Sequence, residues 1–285
     1  MTGHATLQFH DLPSVIPIFP LKNAMLLPGG VLNLTIFEPR YLELLMDCLA
    51  TRPRLIGMIQ PRTQSRAANH AADSGETDVP QDDARDVASD VSSGLAQNAS
   101  ERGESDAEKS HDRDTSSLTD YSDDSTDSPP GIVPIYQVGC AGRISSFIET
   151  DDGRYIIAMT GISRFRIVQE LPRTHAYRQI QADWAEFAND FDSAPDHLWT
   201  RHDFLIRLKE YFKTEGIDAN WKAIEQSPDW RLLISLAMNC PFSDSEKQAI
   251  LEAKTWQNRA KLFDALIAMA AFDGKNGQGD RGRRH

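Results

Sequence analysis

Eight histidines, His4, His10, His70, His111, His175, His197, His202 and His285, are the first residues to test for chemistry. A zinc peptidase would carry two of them at i and i+4 with a glutamate between. No HExxH occurs, and His197 and His202, five apart, do not share a helix face. No metal and no cofactor are therefore expected. Ser245 and Lys247 lie two apart at a helix start and face differently, so they form no Ser–Lys dyad. Asp151-Asp152-Gly153 has the composition of a hairpin turn rather than of a carboxylate pair. Cys140 lies among small residues of an expected strand, where a thiol serves as a small apolar side chain. Gly29-Gly30 is not followed by Lys-Ser or Lys-Thr, so it does not make a phosphate loop. Arg164 and Arg166 share a strand face and suit either an anion site or a solvated arginine face. With no nucleophile beside a base, no catalytic residues are expected and the chain reads as a non-enzyme.

The elements that would position these residues fall into three compositional zones. The chain has 285 residues, 40% of them hydrophobic, a formal net charge of -12 and a mean hydropathy of -0.45. Between residues 62 and 130 lie seventeen Asp/Glu and six Lys/Arg, so this segment accounts for nearly all of the net charge. It has one aromatic residue, Tyr121, and too little apolar surface to offset its ordering entropy. It is expected to be a disordered acidic insertion. The overall charge argues against phosphate-backbone binding, although that argument weakens once the insertion is set aside. Cys48, Cys140 and Cys240 are far apart and odd in number, which suits buried thiols in a reducing cytoplasm rather than a disulfide framework. No signal peptide and no membrane span are expected.

Before the insertion, Val15 to Leu21 is an apolar run interrupted by Pro17 and Pro20, which predicts an edge strand or a bulged barrel strand. Pro28-Gly29-Gly30 predicts a turn, Val31 to Ile36 a second strand, Glu38 to Ala50 a helix, and Arg54 to Gln60 a buried strand. After it, Ile144–Glu149 and Tyr155–Thr160 flank the Asp-Asp-Gly turn, and Tyr177 to Phe187 reads as the last barrel strand. From Pro195 the period shifts towards 3.6. Helices are expected over Asp196–Thr214, Trp221–Glu225 and Asp229–Asn239. Another starts at Asp244 behind a Ser243/Glu246 capping box and bends near Trp256.

Ile16-Pro17-Ile18-Phe19-Pro20-Leu21, Leu27-Pro28-Gly29-Gly30 and Phe37-Glu38-Pro39-Arg40-Tyr41, followed by Val138-Gly139 and Gly161-Ile162-Ser163-Arg164, occur in a characteristic order. This order resembles the N-terminal, substrate-binding domain of Lon proteases. The resemblance spans roughly 15–61 and 132–272. It implies an α+β fold: a PUA-like bent β-barrel followed by a C-terminal helical bundle, with the disordered acidic insertion in the barrel. The expected division is a barrel domain over 13–190 with the insertion at 62–130, a helical subdomain over 195–272, and a flexible tail over 273–285. Neither the phosphate loop of the Lon ATPase module nor a peptidase dyad is present, so the resemblance implies a stand-alone relative of the recognition domain.

The resemblance therefore implies a cytoplasmic, non-enzymatic polypeptide-binding or adaptor module. Its partners would be unfolded or specific client polypeptides, with a protease or chaperone as the associated machine. The residues assigned to such binding are Met25, Leu26, Leu27, Pro28, Phe37 and Tyr41, the apolar surplus around the opening loop, which reads equally as core. Two alternatives stand beside it: a hydrolase in its own right, and an RNA-binding protein of the PUA-like kind.

Overall fold

The computed structural model describes residues 7–62 and 133–277, with side chains through residue 272. The expected insertion, from residue 63 on, and the last eight residues of the chain lie outside the described residues.

Six strands form one mixed sheet: β1 (Val15–Pro20), β2 (Val31–Ile36), β3 (Leu55–Ile59), β4 (Val138–Glu149), β5 (Tyr155–Glu170) and β6 (Arg178–Asp183). Their order is β2-β5-β4-β3-β1-β6, and β6 also pairs with β5, so the sheet curls back on itself. The two long strands make this possible. Register shifts at Ala141/Gly142 and Ile144/Ser146 in the β4–β5 ladder bend the sheet. The fold is α+β, with the strands followed by helices.

Of the two positions that its prolines allow, an edge strand or a barrel strand, β1 does not take the edge. It is flanked on one side by β6 through Val15 to Ile18, and on the other by β3 through Ile18 to Pro20. The two ladders overlap only at Ile18. Pro17 faces a partner on the β6 side and Pro20 one on the β3 side. Each imide therefore sits where the strand has one neighbour rather than two, so no ladder needs both edges of that residue.

Helix α1 (Pro39–Ala50) starts with proline at its first position, where the missing N–H is no loss. After β6 the chain does not continue as a strand to Phe187. Trp184 turns helical, its indole N–H donating to the Pro13 carbonyl at 2.9 Å, and a 3-10 helix runs over Ala185–Phe191. The helices that follow are α2 (Arg201–Glu215), α3 (Trp221–Gln226), α4 (Asp229–Asn239), α5 (Asp244–Glu252) and α6 (Trp256–Gly277). The capping box at α5 forms as its sequence predicts, with the Ser243 N–H donating to Glu246 Oε2 at 2.8 Å. The expected bend near Trp256 is a full break between α5 and α6.

Two apolar clusters hold this together. One lies inside the curl and joins Ile16, Ile18, Ile59, Phe165, Ile180 and Trp184. The other runs without interruption from Phe19, Leu27, Tyr41 and Met159 on the sheet and α1 to Phe204, Leu233 and Phe263 on the helices. The helical part thus shares its core with the outside of the sheet.

Candidate polypeptide-docking surface

The opening loop, residues 21–30, sits in that shared core. Met25, Leu26, Leu27 and Pro28 are buried, as is Tyr41, whose ring stacks on Phe19 at 3.9 Å. Main-chain contacts fix the loop on the sheet: Gly29 N–H donates to Gly161 O at 2.9 Å and Gly161 N–H to Gly30 O at 2.8 Å. The approach is so close that a Cβ on Gly161 would run into the Leu27 carbonyl oxygen. From the other side, Gly30 faces Met238 and Ile234 of α4, and Lys247 of α5 donates to the Asn23 carbonyl at 2.7 Å. The loop is the seam between sheet and helices. Of the six residues read as a binding edge, Phe37 alone is exposed, at 46%. Five of the six are thus core, the other reading open to them, with Leu26 and Leu27 against Gly142 and Gly161 of the sheet.

The two strand arginines separate as well. Arg164 is 1% exposed and pairs with Asp190, Nη2 to Oδ1 at 2.8 Å. Its Nη1 donates to the carbonyls of Leu251 and Ala253 at the end of α5, at 3.0 and 2.7 Å. Phe187 lies under its guanidinium at 4.7 Å. Arg259 of α6 is buried beside it and donates to Ile250 O at 3.3 Å. Burial first, and the Arg164 charge second, hold the Arg259 pKa down to about 10. Arg166 is exposed and pairs with Glu186 at 2.7 Å. Arg164 is a clamp between β5 and the α5–α6 junction, which replaces the expected two-arginine face.

The three thiols are buried. Burial, with Asp47 adding, pushes Cys48 up to about 12, and burial pushes Cys240 to about 12. Burial and then Asp190 raise Cys140 further. A thiolate nucleophile is not available from any of them near neutral pH.

Exposed apolar surface gathers instead at the far end of the β4–β5 hairpin. The turn is tied by Gly153 N–H to Thr150 O, 2.9 Å, with Gly153 at φ +80°, and by Thr150 Oγ1 to Asp152 Oδ1, 2.5 Å. That hydroxyl is the main reason the Asp152 carboxyl titrates below its usual range. β3 pairs with β4 only through Cys140 to Arg143. Beyond that, β4, β5 and β2 continue as a three-stranded projection. Ile148 pairs with Ile156, and Ile156 with Thr35, so the three side chains form one row across one face. Ile148 is 65% exposed and Ile156 45%. Phe147, on the opposite face, and Phe37, just after β2, add further exposed apolar area. β2 pairs only with β5 among the described residues, so its outer edge has main-chain donors and acceptors free of any ladder. The arrangement can take an extended chain by strand addition, with apolar side chains received on the hairpin face.

Sequence reasoning missed Ile148 and Ile156. The signal was present: Phe147-Ile148 and Ile156-Ile157 are adjacent apolar pairs on either side of a tight turn. In a strand one member of each pair must face away from the core.

The sequence profile of the ATP-dependent protease La (LON) substrate-binding domain matches residues 15–267. The chain belongs to this family. Among curated proteins it is 35% identical over 259 residues to "Lon protease" of Anaeromyxobacter dehalogenans (strain 2CP-C), covering 90% of this chain and 23% of that protein. It is 22% identical over 259 residues to "Lon protease 2" of Myxococcus xanthus, covering 90% and 24%. The chain thus spans about a quarter of the length of these relatives. Among solved structures, a Lon N-terminal domain protein from Xanthomonas campestris is 18% identical with a TM-score of 0.46, covering 89% of this chain and 98% of that one. The N-terminal domain of Mycobacterium avium complex Lon protease is 10% identical with a TM-score of 0.47, covering 91% and 98%. Among the described residues no helix is long and apolar enough to cross a membrane.

Proposed function

We propose that this protein is a non-enzymatic recognition module that captures extended, apolar stretches of client polypeptides, as an adaptor to proteolysis. The observation that carries the reading is the exposed Ile148–Ile156 row beside the unpaired edge of β2. The family description, a substrate-binding domain, supports the same class of ligand. Main-chain pairing along β2 supplies affinity without sequence preference, and the hairpin face selects apolar side chains. A cytoplasmic setting, where thiols stay reduced, suits the three free cysteines. The anion-site reading of the two strand arginines loses support, because Arg164 is engaged by Asp190 and Arg166 by Glu186.

Fluorescence anisotropy with labelled, unfolded casein tests the reading. The expected result is saturable binding that weakens about tenfold or more in Ile148→Asp/Ile156→Asp, as removal of central apolar anchors does. No binding by the parent chain, or equal binding by the double variant, would overturn it. ATPase and peptidase assays on the same preparations are expected to show no turnover.

A further inference from the structure

Three donor side chains meet at a place that the docking surface does not use. Glu43 and Asp47 are one turn apart on α1, and His175 comes from the segment leading into β6. The His175 Nδ1 lies 3.7 Å from Glu43 Oε1 and 3.8 Å from Asp47 Oδ2. One ligand atom from each residue falls within 4.8 Å of the others. These separations are too long for direct hydrogen bonds. They are close to the spacing of donors around a shared ion, about 3.4 Å for tetrahedral bonds of roughly 2.1 Å.

Each donor is also held from behind. Tyr177 donates its hydroxyl to Asp47 Oδ2 at 2.8 Å, and the Ala176 N–H donates to Glu43 Oε1 at 3.3 Å. The imidazole stacks on the Tyr177 ring, centroids 4.9 Å apart. Such outer partners orient metal ligands in known sites.

Asp47, His175 and Tyr177 line an open cavity of about 390 Å³ whose wall also includes Arg54 and Leu55.

We propose that Glu43, Asp47 and His175 bind one divalent transition-metal ion, with an open position towards the adjoining cavity. One imidazole nitrogen and two carboxylate oxygens suit Zn²⁺, Co²⁺ or Mn²⁺ better than Ca²⁺, which takes six or more oxygens. The ion would tie α1 to the lead-in of β6. The carboxylates four apart on α1 meet a histidine more than a hundred positions away, a pairing that spacing along the sequence does not reveal.

The test is calorimetric titration of the full chain with ZnCl₂, and optical titration with CoCl₂, in a background of millimolar Mg²⁺ that occupies weak carboxylate sites. The expected result is one equivalent bound, a visible Co²⁺ spectrum with nitrogen ligation, and a Zn²⁺-dependent rise in Tm. His175→Ala should weaken binding about tenfold or more and abolish the Tm rise. Glu43→Gln/Asp47→Asn should do the same while far-ultraviolet dichroism stays unchanged. The absence of stoichiometric binding would overturn the proposal. Equal binding by His175→Ala would also overturn it, since the ions would then sit on other carboxylates.

Discussion

The opening loop and the end of the β4–β5 hairpin are both apolar segments beside a glycine turn, yet one is core and the other is surface. Leu27 is 0% exposed: its carbonyl packs on Gly161, and Gly29 and Gly30 beside it pack on α4. Ile148 has Ile156 beside it on the same face, and both remain exposed. Residue type does not separate the two segments. The difference is whether a later element of the chain returns to cover them. Helix α4 returns to the loop, more than two hundred positions away, and no described element returns to the hairpin end. An apolar segment left uncovered in this way is the better candidate for capture of another chain.

Leu27→Asp puts the largest strain on this contrast. An unpaired carboxylate in the seam should cost about 4 kcal/mol or more, read as a lower urea midpoint or as loss of soluble protein. A midpoint close to the parent's would show the loop to be surface after all. Arg164→Met probes the same seam from the sheet side. It leaves Asp190 buried without its cation and frees the α5 carbonyls, so a loss of about 3–5 kcal/mol is expected. Arg164→Met/Asp190→Leu should recover a large part of it.

Cys48 sharpens the contrast through pH. Its folded-state pKa is raised from 9.0 to about 12, so the unfolded chain releases the proton first. The stability linked to this thiol is complete below pH 9 and is lost as pH rises from there towards 12. At pH 10.5 the loss should be about 2 kcal/mol, and Cys48→Ala should flatten that part of the pH profile. The smallest effect on stability belongs to the hairpin. Ile148→Asp should move the unfolding free energy by no more than about 0.5 kcal/mol. Its consequence should appear in casein binding instead. A large loss of stability would place the hairpin end in the same class as the loop.

Much of the fold was legible because local signals were strong. Pro39 at a helix start, the Ser243/Glu246 capping box and the Asp-Asp-Gly turn each act within a few residues, and each came out where the pattern predicted it. Signals that depend on distant partners were not legible. Pro17 and Pro20 left an edge strand and a bulged barrel strand both open, and only the staggered ladders of β3 and β6 on either side of β1 exclude the edge. Arg164 and Arg166 are two apart on one strand, and only the position of Asp190 and of the α5 end separates a buried clamp from a solvated pair. The docking residues required knowing which apolar side chains α4 covers. Alternation along a strand gives two faces and does not say which one a helix will reach.

The pairing of Val15 with Gln181 has a consequence for synthesis on the ribosome. β1 emerges long before β6, and everything between them, including the acidic segment, must leave the exit tunnel before the curl can be completed. Throughout that interval Ile16 and Ile18 lack the β6 side of their cluster. Such long-range closure slows folding. A nascent chain stalled before residue 178 should therefore be protease-sensitive at β1, and the released full chain should not.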